Sequence, residues 1–492
     1  MKIPCYVGRF RPHQAIPPTP WNLAEHSIQE YFSIGSTVPG KTTPAIELGL
    51  DFSKIDQALI DNPQVEASSY HLNVALNRLI GNGDDAFPEV KPNTIGLLFA
   101  DHSGDDAGLY GLMFNGRFDG GAEVVGAGRR QGAAVFVETI RGDRAPSEWA
   151  DQVLYDVIHE IGHMFNLWHA NSSGEFMTPS NPRSVYPPPY GFSDAHKEFL
   201  GRCDDSDFVR PGGSAFEDRG GLAVPKDDTA TDLPEAQRLR LGLRMAQEEF
   251  WGFEPVELDI TLALAQSEDG RQVRIPNEID PGYERFQIWI TLERGDRRHY
   301  EPTDIYCRNA RELVVSAERP FKRDITIFGQ AGGYTFSEPG RYMIEATLQL
   351  GKSEVRSEPV EVSVLPPRRS RFYREAEALF RSRSVARLLF YRDGATDPRR
   401  FARALAFANK YPRHAGSAGL LYALGRSMLR HGRRASSWRE AERHRGLGRE
   451  YLRRAGDSGR LVGHRAVVVE ELLKDVSVAA TPSSLRNRGQ RR

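Results

Sequence analysis

Eleven residues, His159-Glu-Ile-Gly-His163-Met-Phe-Asn-Leu-Trp-His169, constrain this chain more than any other stretch. In a helix, residues i and i+4 project from one face about one turn apart. His159 and His163 can therefore aim imidazole nitrogens at a common ion. Glu160 lies beside the first histidine, where its carboxylate can reach a water on that ion without taking a place among the ligands. His169, six residues beyond His163, is too far round to share their helix face. It joins them only if the helix stops and the chain turns back. Such a turn needs a residue that tolerates a left-handed backbone, usually Gly and sometimes Asn. Asn166 stands where that residue is required. Three protein ligands with an open position suit a catalytic metal, whereas four closed ligands suit a structural one.

The flanking sequence predicts what supports this run. Val153, Leu154, Val157, Ile158, Ile161 and Met164 form an apolar face on a helix from about Trp149 to Asn166. Upstream, residues 69–80 have loosely helical spacing, and three strand candidates follow at Thr94–Ala100, Leu109–Phe114 and Ala133–Thr139. A sheet followed by a helix suggests an α+β domain in which the sheet carries that helix. Ser193 is a suitable N-cap for a short helix through Leu200.

The histidine run resembles the signature of the metzincin clan of zinc metallopeptidases, HExxHxx(G/N)xxH, with Asn166 as the less common choice at the turn. Met177, in Gly-Glu-Phe-Met-Thr-Pro-Ser, follows His169 by eight residues, a separation similar to that of the matrixin branch. A chance HExxH with a third His at this offset arises on the order of once in a thousand chains of this composition. The resemblance implies one catalytic Zn2+ on His159, His163 and His169, with Glu160 as general base and Met177 shaping the floor of the site without binding metal. It also implies that Pro179–Tyr190 forms a pocket wall and that the Ser193–Leu200 helix closes the domain. It spans about residues 1–215, with specific motifs only in 149–200.

Rival readings concern single residues. Glu198 sits on the following helix, where gluzincins draw a third ligand, but His169 and Met177 together fit the other scheme. Tyr186 and Tyr190 are candidates to donate a hydrogen bond to an oxyanion, a role that competes with simply lining a cleft. Asp101, His102, Asp105 and Asp106 form a loop where matrixins hold structural metal, and an acidic surface loop explains it as well. Cys5 is a candidate inhibitory thiolate, although its surroundings, Ile-Pro-Cys-Tyr-Val, do not resemble such a switch.

The rest of the chain divides by pattern. Residues 1–225 make the metzincin-like domain, and a polar linker helix is expected within 226–253, from Pro234 to about Phe250. Residues 254–366 alternate apolar and polar positions in short runs (Val256–Leu262, Phe286–Leu292, Asp324–Phe328, Tyr342–Leu348, Val360–Val364), as an immunoglobulin-like β-sandwich does. Residues 368–480 lack strand patterning and read as four or five Arg- and Ala-rich helices, in part similar to a tetratricopeptide pair. Residues 481–492 read as a disordered tail.

Charge is uneven. Residues 368–492 hold 30 basic against 11 acidic side chains, and the first 367 hold 35 against 55, so the two parts should attract one another or attract different partners; the arginines read either as solvated helix faces or as docking on the acidic part. No reader motif or aromatic interleaving accompanies the arginines, which argues against a nucleic-acid interface. No run reaches the ~20 apolar residues of a membrane span. The start, MKIPCYVGRF, lacks a long apolar region, which favours a cytoplasmic protein or one whose leader has been removed. Cys5, Cys203 and Cys307 are too few and scattered for a disulfide framework or a cysteine-based metal site. The sequence thus points to a zinc-dependent endopeptidase. The alternative is a catalytically silent zinc-binding scaffold whose sandwich and helices hold protein partners.

Overall fold

The computed structural model describes residues 1–478 apart from 13–15, 18, 20, 38–42, 57–66, 68, 81–92, 104–107, 117–128, 171–174, 179–190, 203–206, 215, 217–236, 246, 266–271, 308–311, 331–332, 392–397, 435–436 and 462. The protein is a mixed α/β molecule with several sheets, and among the described residues no helix is long and apolar enough to cross a membrane.

The first sheet has six strands in the order Asp304–Cys307, Gly111–Phe114, Gly132–Phe136, Ile95–Ala100, Lys2–Arg9, Glu47–Asp51. The last four run parallel, whereas Gly111–Phe114 is antiparallel to Gly132–Phe136. Both faces are covered, so the inner strands are apolar throughout, as parallel strands tend to be. Because side chains alternate, Leu97, Phe99, Val135 and Met113 pack with the helix Trp149–Met164, and Leu98, Phe136, Leu112 and Phe114 pack with the helix Ser69–Ile80. The third expected strand is shorter than predicted. It ends at Phe136, and Val137–Asp143 turns into a helix whose Glu138 and Thr139 amides are both held by the Asp101 carbonyl.

The edge strand of this sheet comes from far along the chain. Asp304–Cys307 pairs antiparallel with Gly111–Phe114, placing Cys307 opposite Gly111 and Ile305 opposite Met113. Ile305 lies in the core on the side of the Trp149–Met164 helix, so Cys307, two residues on, faces the same way.

Among the described residues from Leu239 onward, two larger sheets surround one core, and Gln272–Pro276 with Glu312–Ser316 and Gly329–Gln330 with Gly333–Tyr334 add two two-stranded sheets. Leu239–Met245, Glu257–Leu264 and Phe321–Thr326 form one of the larger sheets. Arg297–His299, Phe286–Leu292, Gly340–Leu350, Val360–Leu365 and Glu249–Trp251 form the other, with Ser353–Arg356 added to Gly340–Leu350. The expected linker helix is corrected here. Leu239–Met245 and Glu249–Trp251 are strands, because Leu239, Leu241, Phe250 and Trp251 turn into this core and two-residue periodicity outweighs the helical propensity of a Glu- and Arg-rich stretch.

Six helices follow among the described residues: Arg371–Phe380, Arg383–Tyr391, Pro398–Lys410, Ala415–Arg434, Trp438–Asp457 and His464–Val478. The first four share the preceding core, through Tyr373, Phe380 and Phe407 among others, with Trp251 edge-on to Tyr373 at 5.0 Å, whereas Leu452, Ala455 and Val469 of the last two join a separate cluster. One of their arginines meets carboxylates on the strands: Arg465 pairs with Glu257, and its Nε lies 3.7 Å from Asp324. The expected tail, 481–492, lies outside the described residues.

Candidate metal centre

The helix Trp149–Met164 is buried along its length, and its end is closed by backbone geometry. Asn166 adopts φ 64°, the left-handed conformation the sequence requires. Its amide bonds to the His163 carbonyl at 2.8 Å, and the Leu167 amide bonds to the Gly162 carbonyl at 3.1 Å, which is the paired arrangement of a Schellman stop. The Asn166 side chain donates to the Phe208 carbonyl at 2.8 Å. Arg130, fully buried, holds the same end by donating to the carbonyls of Met164, Asp207, Val209, Arg210 and Ser214.

This reversal brings His169 to the helical pair. The Nε2 atoms of His159, His163 and His169 form a triangle with sides of 3.1 Å. Close as they are, these are not hydrogen bonds between rings. His159 Nδ1 lies 2.6 Å from the Phe176 carbonyl and His163 Nδ1 lies 2.8 Å from the Leu167 carbonyl. A carbonyl accepts only, so each Nδ1 carries the proton and each Nε2 a bare lone pair. Burial pushes His159 down to about 4 and holds His163 and His169 well below the usual imidazole range, so charging the rings does not relieve the crowding. Converging lone pairs on neutral buried rings fit a cation between them.

Glu160 is 1% exposed, and burial raises its carboxyl well above the usual range. One oxygen accepts from the Cys307 thiol at 3.2 Å, while Oε1 is buried with no hydrogen-bond partner among the described residues. A Cβ on Gly111 would stand 1.8 Å from that Oε1, so the carboxylate packs against the strand Gly111–Phe114 only because that position is glycine. Gly162 serves the opposite side: a Cβ there would lie 2.5 Å from the sulfur of Met177, which is fully buried beneath the helix. Tyr155 ties the turn under the site by donating to the carbonyls of Glu175 and Thr178 at 2.8 and 3.0 Å. Glu175 in turn accepts from His196 at 2.7 Å.

Ligand atoms of His159, His163, His169 and Cys307 all lie within 4.8 Å of one another, and this group can hold a metal ion. The sequence did not anticipate the Cys307 sulfur beside the three imidazoles. The sequence concealed this because Cys307 is distant in the chain and has no neighbouring ligand to mark it. Its only signal is a short β-prone run, Asp-Ile-Tyr-Cys. Glu284, also unforeseen, accepts from the His169 amide at 3.2 Å, and its Oε1 lies 3.5 Å from His169 Nδ1.

The rival residues lie elsewhere. Glu198 is exposed and paired with Arg202 at 2.6 Å, away from the imidazoles. Cys5 is buried in the strand Lys2–Arg9, where burial pushes its thiol up to about 12, and it is not part of the ligand group. Asp101 pairs with Arg11 at 3.4 Å, and His102 Nδ1 lies 3.0 Å from the Thr139 hydroxyl. Asp105, Asp106, Cys203, Tyr186 and Tyr190 lie outside the described residues, as does the whole of the expected pocket wall, 179–190.

No protein-family model and no curated protein matches the chain. Among solved structures, a sporulation control protein from Bacillus subtilis is similar over 29% of this chain and 54% of its own, at 7% identity and a TM-score of 0.18. A β-glucosidase from Erythrobacter marinus is similar over 26% of this chain and 15% of its own, at 11% identity and a TM-score of 0.16. The match thus spans about half of the first protein and a small part of the second. Likeness at this level assigns neither fold nor chemistry.

Proposed function

We propose that the chain is a zinc-dependent endopeptidase of metzincin type, in which His159, His163 and His169 hold the metal, Glu160 is the general base, and an immunoglobulin-like sandwich follows the catalytic domain. The observation that carries this reading is the triangle of imidazole nitrogens, those of His159 and His163 left unprotonated by carbonyls at the opposite ring nitrogens, beside a buried carboxylate oxygen with no hydrogen-bond partner among the described residues. Zinc held there would supply Lewis acidity toward the scissile carbonyl and toward a water. The chain does the rest. The Phe176 and Leu167 carbonyls fix the tautomers of His159 and His163, which keeps their ligating nitrogens free. Glu160 takes the proton of the attacking water on Oε1 and returns it to the leaving amine. Burial raises its proton affinity, which suits a base working near neutrality. An extended peptide would add along the outer edge of Gly111–Phe114, which Asp304–Cys307 fills in this structure.

The test is a pair of substitutions. Glu160→Ala should keep bound zinc and lose turnover of a quenched peptide library by roughly 10²–10⁴-fold. His163→Ala should lose both metal and turnover. Cleavage by Glu160→Ala at the wild-type rate rules out the assigned base.

One observation favours a second reading, a metal-binding scaffold without turnover: Cys307 gives the site four protein ligands, as in structural centres. Chelator-sensitive proteolysis by the wild-type chain excludes it.

A further inference from the structure

Two features meet at the same place. The strand Asp304–Cys307 occupies the one free edge of Gly111–Phe114, antiparallel and in register. At its end, the Cys307 sulfur lies among the three imidazoles and against Glu160. The strand is not loosely laid there. Asn115 donates to the Pro302 carbonyl at 3.1 Å, the Asn115 amide bonds to the Thr303 carbonyl at 2.9 Å, and Ile305 is 4% exposed in the core beneath the ligand helix. Glu284, from the same part of the chain, holds the His169 amide.

We infer that Asp304–Cys307 is an internal plug: it fills the strand-addition edge where an extended peptide would lie, and it supplies Cys307 as a fourth ligand that closes the metal site. The inference rests on the reading of the site as a metal centre that acts on peptides. Ligation forms a metal–sulfur bond and releases the thiol proton toward Glu160 Oε2, the acceptor it already faces. A closed set of four ligands leaves no place for water or a substrate carbonyl. Turnover then requires the strand to leave the sheet edge, carrying Cys307 with it.

The experiment uses the full chain loaded with Co2+ in place of the native metal, read by absorption spectroscopy, with acetohydroxamate as the exogenous ligand. Wild type should show thiolate-to-cobalt charge transfer and a spectrum that acetohydroxamate does not change. Cys307→Ala and Cys307→Ser should bind one Co2+, lack that band and respond to acetohydroxamate. A wild-type spectrum without the sulfur band, or one that acetohydroxamate shifts, overturns the inference whether or not either variant folds. Peptide cleavage is measured on the same samples. Faster cleavage by the variants supports the plug, and equal or slower cleavage beside an active wild type overturns it. If the spectra behave as expected and no sample cleaves peptide, the peptidase reading fails while the closed centre stands.

Discussion

At the scale of single residues, the site depends on one backbone conformation. Asn166 holds φ 64° and anchors itself through Phe208, and this places His169 opposite the helical pair. Asn166→Gly removes a side chain from a left-handed position, a gain of about 1 kcal/mol, and loses one hydrogen bond worth about as much, so stability should barely change. Asn166→Val has no such compensation, because a β-branched side chain resists that region. His169 should then sit poorly, and metal affinity should fall roughly 10–100-fold. Competition against a chromophoric chelator measures this, and a Val variant that binds as tightly as wild type would contradict it. Gly111 and Gly162 matter for a different reason. Each leaves space that Glu160 or Met177 fills.

At the scale of elements, the ligand helix is held at its carbonyl end by a guanidinium. All three Arg130 nitrogens donate to main-chain carbonyls, including that of Met164, the last residue of the helix. A cation there complements the helix dipole and satisfies carbonyls that have no partner within the helix. Arg130→Met should leave several of them buried and unbonded, at a cost on the order of 3–5 kcal/mol. Arg130→Lys should recover little, since an ammonium has fewer donors and no fork. Denaturant unfolding checks both, and a Met variant as stable as wild type would show that these bonds contribute nothing net. The pairing of Asp304–Cys307 with Gly111–Phe114 also belongs to this scale, because it turns a sheet edge from a docking site into an interior.

At the scale of the whole molecule, the two larger sheets built after Leu239 share one core with the first four helices after Arg371, and Glu254 is buried beside Trp251 of that core. Burial pushes its carboxyl up to about 7, opposed by a hydrogen bond from the Trp251 amide. His414 Nε2 lies 3.6 Å away, and burial pushes that imidazole down to about 4. A carboxyl raised in the folded state favours folding while protonated. Its contribution is complete below its ordinary value of 4.5 and is lost as pH rises through 7. His414 behaves oppositely: its contribution is complete above 6.5 and is lost as pH falls through 4. Glu254→Gln removes the first effect and leaves the second. Relative to wild type it should gain on the order of 1–3 kcal/mol between pH 5 and pH 8, read as the difference between paired denaturation curves. A difference independent of pH would refute the raised carboxyl.

What could be read without coordinates was local. The helix Ser69–Ile80, the ligand helix, the Ser193 cap and the strand Phe286–Leu292 follow from periodicity and capping over a few residues, and the convergence of His159 and His163 follows from helical pitch alone. Asn166 announced a reversal because few side chains tolerate that backbone. The strands at Leu239–Met245 and Glu249–Trp251 could not be read this way, because their burial depends on partners contributed by later segments. The same limit hid Cys307. Its place beside the three imidazoles is decided by a register, Cys307 opposite Gly111, between segments far apart in the chain, and by the alternation that turns its sulfur toward the helix Trp149–Met164. Residue identity and local periodicity determined which imidazoles can share an ion. Only tertiary pairing decided that the sheet edge beside them is filled and that a fourth ligand is at hand, because strand register is set by the packing of whole faces and leaves no mark in either segment alone.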